Sequence, residues 1–476
     1  MDQVEYDLIV LGAGPVGENA ADRAVRGGLT VALVESELVG GECSYWACMP
    51  SKALLRSGQA LRAAQQVAGA SQAVTGKLDA KAVLKRRNSF THDWKDDSQA
   101  DWVASAGITL VRGLGRLSGT KRVTVTASDG TETELTARHA VAVATGTDAF
   151  VPDIDGLRAA QPWTSREATS AQDIPASLAI IGGGVVATEM ATAYAGLGSK
   201  VTLISRGSLL AGMEPFAGEM VAAALREQGA TVLLDTETKR VNRTSSGVEV
   251  ELGDGTVITA SEVLAATGRS PRTADIGLDT IGLKPGSWLQ TDDTLQVEGF
   301  DWLYAIGDVN HRALLTHQGK YQGRMVGDLI AARVNGTAVS TEAWGAHVAT
   351  ADHEAVPQVT FTDPEVASVG LTEAAARKAG YTVSVVDYEI GYIAGASLYA
   401  DDYSGKARMV VDQQRSVVLG VTFVGPDVSE LLHAATVAVT AQVPIARLWH
   451  AVPAYPTISE IWLRLLETYR DQHASS

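Results

Sequence analysis

Tyr6-Asp7-Leu8-Ile9-Val10-Leu11-Gly12-Ala13-Gly14-Pro15-Val16-Gly17 decides the reading of this 476-residue chain. The run to Leu11 is apolar throughout, the pattern of a strand buried on both faces in a parallel sheet. An alanine-rich helical stretch follows to about Gly27, then a second apolar strand, Thr30–Glu35, that ends in an acid. Strand, glycine turn, helix, strand and acid in that order make a βαβ dinucleotide-binding unit. Gly12, Gly14 and Gly17 permit the tight turn and a close pyrophosphate, the helix start at Pro15-Val16 offers its amides to phosphate, and Glu35 suits a ribose hydroxyl.

The pattern recurs at Leu178-Ala179-Ile180-Ile181-Gly182-Gly183-Gly184-Val185-Val186-Ala187-Thr188-Glu189, with another strand at Lys200–Ile204. That strand ends in Ser205-Arg206 where an acid would bind the free 2′-hydroxyl of NAD and repel a 2′-phosphate. Arg206 therefore points to NADPH. NADH stays open, because an exposed loop arginine is also an ordinary surface residue.

The only two cysteines, Cys43 and Cys48, stand in Gly40-Gly41-Glu42-Cys43-Ser44-Tyr45-Trp46-Ala47-Cys48-Met49-Pro50-Ser51-Lys52. Bridging so short a loop removes little entropy from the unfolded chain, so the pair reads as redox chemistry rather than a staple. Inert core thiols are the plain alternative, and a zinc site would want further Cys or His ligands at suitable spacing. Met49-Pro50-Ser51-Lys52 fits the first turn of a helix, where the dipole favours thiolate. No metal site is expected.

With 39 basic and 55 acidic residues, the formal charge of −16 opposes a nucleic-acid or anionic-membrane surface. No apolar run approaches the roughly 18 residues that span a bilayer, and the chain enters its first strand without a basic leader, so a cytoplasmic location is expected. Between the glycine motifs lie an amphipathic stretch near 58–70 and a hairpin-like segment, 122–135, before the strand 139–144 and Thr145-Gly146. Ala266-Thr267-Gly268-Arg269 ends the second unit in the same way, and Leu303-Tyr304-Ala305-Ile306-Gly307-Asp308 supplies a further strand whose acid can meet a polyhydroxyl chain. From about Trp344 strands such as 358–362, 407–412 and 417–423 mix with helices at 372–379 and 430–441. The expected fold is α/β with two Rossmann-like domains and a C-terminal α+β domain.

Together these motifs, with Phe361-Thr362-x-Pro364-Glu365 and Pro456-Thr457-x-Ser459-Glu460, resemble the flavin-dependent pyridine nucleotide–disulfide oxidoreductases, a family that includes dihydrolipoamide dehydrogenase, glutathione reductase and mercuric reductase. The resemblance covers nearly the whole chain. It implies an FAD-binding domain over 1–150, an NAD(P)-binding domain over 151–272, a segment over 273–345 that completes the FAD domain, and a dimerisation domain over 346–476. It also implies a homodimer whose partner contributes to each active site. By the same resemblance Asp308, with Gly307, meets the flavin ribityl chain, Gly115 lies near the adenine, and Thr145, Gly146, Leu314, Leu315, Thr316 and His317 line the FAD site with Gly41 and Glu42. Lys52 pairs with Glu189 beside the flavin, Cys48 faces the flavin and Cys43 faces the substrate. Gly182, Gly183, Gly184, Val185, Val186 and Gly268 hold the nicotinamide nucleotide. Electrons pass from nicotinamide to flavin, to the cysteine pair, to a small acceptor.

One departure bears on the chemistry. Relatives that reduce disulfides carry a histidine before the Pro-Thr-x-Ser-Glu run, and its glutamate, here Glu460, holds it. This chain has Tyr455 there. A phenol, with pKa about 10 against about 6.5 for imidazole, is a poor proton acceptor, and positioned acid–base catalysis is worth ~10²–10⁴ in rate. Tyr455 is a donor or metal-facing phenol, or filler in a site that needs no base, or His450 replaces it. Mercuric reductases use an additional cysteine pair, which a chain with two cysteines lacks. A quinone or similar electrophile is the preferred acceptor; an atypical dihydrolipoamide dehydrogenase and a redox-sensing flavoprotein are the alternatives. Tyr45 and Trp46, aromatic where relatives have smaller residues, are either core packing or a stacking surface.

Overall fold

Leu8, Ile9, Val10 and Leu11 are at most 1% exposed, because the strand Val4–Leu11 has a parallel neighbour along each edge, Val31–Glu35 on one and Glu132–Val143 on the other. A computed structural model describes residues 4–474. Two compact units divide the chain, the first comprising the residues up to Pro50, Asn88–Ala149 and Arg269–His353.

The first unit is built on a seven-stranded sheet. Its order runs Thr109–Arg112, Val31–Glu35, Val4–Leu11, Glu132–Val143, Arg122–Thr126, Leu114–Gly119, and Leu303–Ala305 also pairs with Glu132–Val143. The second arm of the expected hairpin and the strand expected at 139–144 are therefore one long strand. Its outer half pairs antiparallel with Arg122–Thr126 and its buried half runs parallel to Leu303–Ala305. The helix Pro15–Arg26 packs along the helix Thr316–Val334. Gly323 makes that approach possible, since a Cβ there would meet Val16 O at 2.5 Å.

In the second unit the strand Ser177–Ile181, the helix Val185–Gly196 and the strand Lys200–Ile204 belong to a four-stranded parallel sheet with Thr231–Leu233 and Glu262–Ala265. Gly182 turns between strand and helix at φ +136, and a Cβ on it would run into the carbonyl of Ala266. A separate three-stranded antiparallel sheet spans 238–260. From Pro357 onward a five-stranded antiparallel sheet carries the helices Leu432–Thr440 and Ile461–His473. Its central strand, Val417–Gly425, is buried at every residue. Of the stretch expected to be helical near 58–70, residues up to Gln65 lie in the helix Cys48–Gln65 and 66–70 form turns, and the second cysteine begins that helix.

Candidate active site

A cleft in the first unit opens where the strand ends gather. Gly12, Gly14, Pro15 and Val16 line it from the turn and the helix start, and Glu35, Gly41, Glu42 and Cys43 from the next segment. Gly115, Thr145, Gly146, Gly307, Asp308 and Thr316 complete its wall. This matches the rule that ligands of open α/β sheets sit beyond the carboxyl ends of the strands. Gly17 lies buried in the helix instead, and Leu314, Leu315 and His317 precede or follow Thr316 without lining the cleft.

Glu35 accepts backbone N–H donors from Ala13 and Glu37, both at 2.7 Å. Burial pushes its carboxyl up, and those two amides draw it back. Asp308 is treated similarly: burial raises it, while Thr147 Oγ1 donates to Oδ2 at 2.6 Å and the Arg269 guanidinium lowers it. Arg269 Nε in turn donates to Thr147 Oγ1 at 2.5 Å, and Arg272 reaches Asp148 and Glu42. Thr147, Arg269 and Arg272 also line the cleft, and sequence reasoning missed all three. The signal for Arg269 was at hand, since it closes the Ala-Thr-Gly-Arg run.

The group that fits this cleft is a dinucleotide. A helix N-terminus suits its phosphates, Glu35 a ribose, and Asp308, at the far side from Glu35 along the sheet, a polyhydroxyl chain.

Cys43 borders the cleft from the short helix Gly41–Tyr45, and Cys48 heads the helix Cys48–Gln65. Both are thiols. Cys48 Sγ lies 3.3 Å from Thr316 Oγ1. The neighbouring Cys48 thiol and then burial push the Cys43 thiol up, against smaller downward pulls from Thr316 and the charge of Lys320. Tyr45, 1% exposed, sends its hydroxyl to Val39 O and Lys95 O, while Trp94 Nε1 donates to Tyr45 O. Of the two aromatic residues between the cysteines, Tyr45 is thus core packing, and Trp46 is half-buried.

In the second unit Lys52 Nζ lies 2.8 and 3.1 Å from the two Glu189 carboxylate oxygens and 4.8 Å from the Phe361 ring centroid. Glu189 is 3% exposed and also accepts the Phe361 N–H. Gly182, Gly183 and Gly184 lead into the helix whose first residues, Val185 and Val186, are exposed or half-buried, so its amide end is open to a phosphate. Ser205 is buried, Arg206 is exposed with no ion pair among the described residues, and Gly268 turns at φ +143. Tyr455 is 76% exposed, His450 is exposed, and Glu460 is buried at 5%. Among the described residues no group of three or more His, Cys, Asp or Glu is placed to hold a metal ion.

Two dinucleotide-binding folds and a Cys-x4-Cys pair whose first member lines the cleft of one of them define a flavoprotein oxidoreductase. Residues 6–323 match the pyridine nucleotide-disulphide oxidoreductase family and residues 356–465 match its dimerisation domain. The chain belongs to this family, whose members are enzymes dependent on FAD and NAD(P)H, and the dimerisation domain indicates a homodimer. It is 31% identical to a mercuric reductase of Streptomyces lividans over 98% of this chain and 96% of the relative, and 30% identical to one of Staphylococcus aureus over 96% and 81%. A dihydrolipoyl dehydrogenase of Chlorobaculum tepidum is 31% identical over 96% and 95%. In fold the chain is similar to the HOCl-induced flavoprotein disulfide reductase RclA of Escherichia coli, with TM-score 0.83 and 23% identity over 98% of this chain and 99% of that one. No helix among the described residues is long and apolar enough to cross a membrane.

Proposed function

We propose that the protein is an NADPH-oxidising flavoenzyme that passes electrons through Cys43 and Cys48 to a small electrophile, with a quinone preferred. The single observation that carries this reading is the Cys43 and Cys48 thiol pair, with Cys43 lining the cleft, in a chain whose position 455 is tyrosine. The thiols can hold an electron pair as two S–H bonds. Without an imidazole base, acceptors that need thiol–disulfide exchange are disfavoured, and acceptors that take electrons directly are not.

In this reading the domains run 1–150 with 273–345 for FAD, 151–272 for the nicotinamide nucleotide, and 346–476 for dimerisation. Bound FAD supplies two-electron transfer between nicotinamide and sulfur. Glu35 orients a ribose, Asp308 a polyhydroxyl chain and the helix start at Pro15 the phosphates. Lys52, locked by Glu189, presents a fixed positive charge. Arg206 supports NADPH over NADH because it is exposed and carries no ion pair among the described residues. Exposed Tyr392, Leu398 and Val452 are apolar surface that a subunit interface would cover. A cytoplasmic location accords with a working dithiol.

The test is NADPH oxidation against a panel of a benzoquinone, oxidised glutathione, lipoamide and mercuric ion, with NADH in parallel. The quinone should turn over fastest. Faster turnover of either disulfide would overturn the acceptor assignment.

A further inference from the structure

The helix that carries Cys43, Gly41–Tyr45, is five residues long, and Gly40 before it supplies no side-chain cap. So short a helix does not hold itself together in water, and its last carbonyls have no partner inside it. Trp46 N–H donates to Glu42 O at 2.8 Å. The final carbonyl, that of Tyr45, is met from outside by Trp94, whose Nε1–H donates to it at 3.2 Å. Tyr45 is tied to the same segment a second time through its hydroxyl, which donates to Lys95 O at 3.4 Å and to Val39 O at 3.0 Å. Asp96 Oδ2 adds a third tie, accepting Val39 N–H at 2.7 Å while Arg112 Nη1 holds it at 2.7 Å.

The backbone that brings Trp94 there is strained. His92, Asp93 and Trp94 stand at φ +48, +51 and +56, three successive left-handed residues and none of them glycine. They close one turn, with Trp94 N–H on Thr91 O at 2.8 Å and Lys95 N–H on His92 O at 3.1 Å. Left-handed backbone is unfavourable for any residue with a Cβ, and it ordinarily occurs at single positions. Such strain persists only where the surroundings impose it, and it gathers at functional sites. His92 and Asp93 are exposed and Trp94 is half-buried, so the residue of the turn that is drawn inward is the one that holds Tyr45.

We propose that Trp94 and Tyr45 form a clamp that holds the Cys43 helix beside Cys48 and so sets the reduction potential of the pair. The inference rests on the dithiol reading above and goes beyond it by giving a role to residues outside the pair. Cys43 and Thr316 line one cleft, and Cys48 Sγ is 3.3 Å from Thr316 Oγ1, so the two thiols share a neighbour. Holding two reacting groups in place raises their effective concentration for one another. The clamp therefore favours the disulfide and makes the dithiol the stronger reductant. On oxidation both S–H bonds break, the S–S bond forms, and two electrons and two protons pass to the acceptor. Neither Trp94 nor Tyr45 lines the cleft, so both are positioning residues.

The experiment equilibrates the holoenzyme anaerobically with reduced and oxidised dithiothreitol over a series of ratios. Samples are quenched in acid, free thiols are alkylated, and the dithiol and disulfide forms are counted by mass. Each exchange makes one protein disulfide and opens one dithiothreitol disulfide, so electrons and protons balance. Trp94→Phe keeps a ring and removes the N–H donor. It should weaken the disulfide about tenfold in equilibrium constant, a midpoint about 30 mV more oxidising. Tyr45→Phe removes the hydroxyl ties and should move the midpoint the same way, so the clamp is tested even where Trp94→Phe folds poorly. Val123→Ala, at a fully buried position of the strand Arg122–Thr126, should lower the melting temperature and leave the midpoint at the wild-type value. Midpoints of Trp94→Phe and Tyr45→Phe that coincide with wild type overturn the clamp, as does a shift in Val123→Ala as large as theirs. A wild type that keeps two thiols at every ratio defeats the dithiol reading and the clamp with it.

Discussion

Arg464 donates to Glu460 Oε1 at 2.6 Å, one helical turn along the same chain segment, while Glu460 Oε2 remains buried and unbonded among the described residues. The Glu460 carboxylate is thus half engaged by an arginine and half open. Tyr455→His places an imidazole base at that position. Reduction of oxidised glutathione or lipoamide by Tyr455→His should rise at least about tenfold in kcat/KM, the lower part of what a positioned base contributes. The gain should appear as a new pH dependence between about 6 and 8. No gain would mean that the pocket as well as the base is unsuited to disulfides.

The Lys52–Glu189 pair should respond unequally to removal of its partners. Lys52→Met strands a carboxylate that is 3% exposed, and we expect a loss of about 2 kcal/mol, below the usual range for a fully buried pair because the Lys52 side chain is 34% exposed. Glu189→Gln keeps the Phe361 N–H acceptor and leaves an ammonium that water can reach, so it should cost less. Urea unfolding of both variants measures the difference.

Glu18 links stability to pH. Its folded value of about 7 lies above the ordinary 4.5, so the folded chain holds the proton more tightly. The resulting stabilisation is full below about 4.5 and is lost as pH rises through 7, at most about 3 kcal/mol. Glu18→Gln, which cannot ionise, should therefore gain in melting temperature over wild type between pH 5 and 8.5. A difference that stays flat over that interval would show the carboxyl to be ordinary.

Arg206→Ala should raise the KM for NADPH by about tenfold or more, the worth of one charge-assisted phosphate contact, and leave that for NADH nearly unchanged. Equal effects on the two nucleotides would remove the basis for preferring NADPH.

The sequence carried the parts of this molecule that are local. Leu8–Leu11 and Leu178–Ile181 announced buried parallel strands, and the glycines after them announced the turns. The helices Ala80–Phe90 and Asp97–Ser105 escaped notice because their faces mix lysine, arginine and aspartate with few apolar residues. The long strand Glu132–Val143 was divided in the sequence reading because its outer half alternates while its inner half is wholly buried. Of the candidate site, fourteen expected residues line one cleft: Gly12, Gly14, Pro15, Val16, Glu35, Gly41, Glu42, Cys43, Gly115, Thr145, Gly146, Gly307, Asp308 and Thr316. The thiol environment was hidden for a physical reason. Cys43 is tuned by Thr316 and Lys320, which lie far along the chain, and Glu18 reads as one acid in an alanine-rich helix until packing against Thr316–Val334 buries it.

Because the chain has only Cys43 and Cys48, thiol counting tests the central claim without ambiguity. The oxidised holoenzyme is unfolded under denaturant and titrated with a chromogenic disulfide, and the titration is repeated after anaerobic NADPH and again after addition of a quinone. The account predicts no thiols, then two per subunit, then none. Two thiols titrating at all three stages would contradict it.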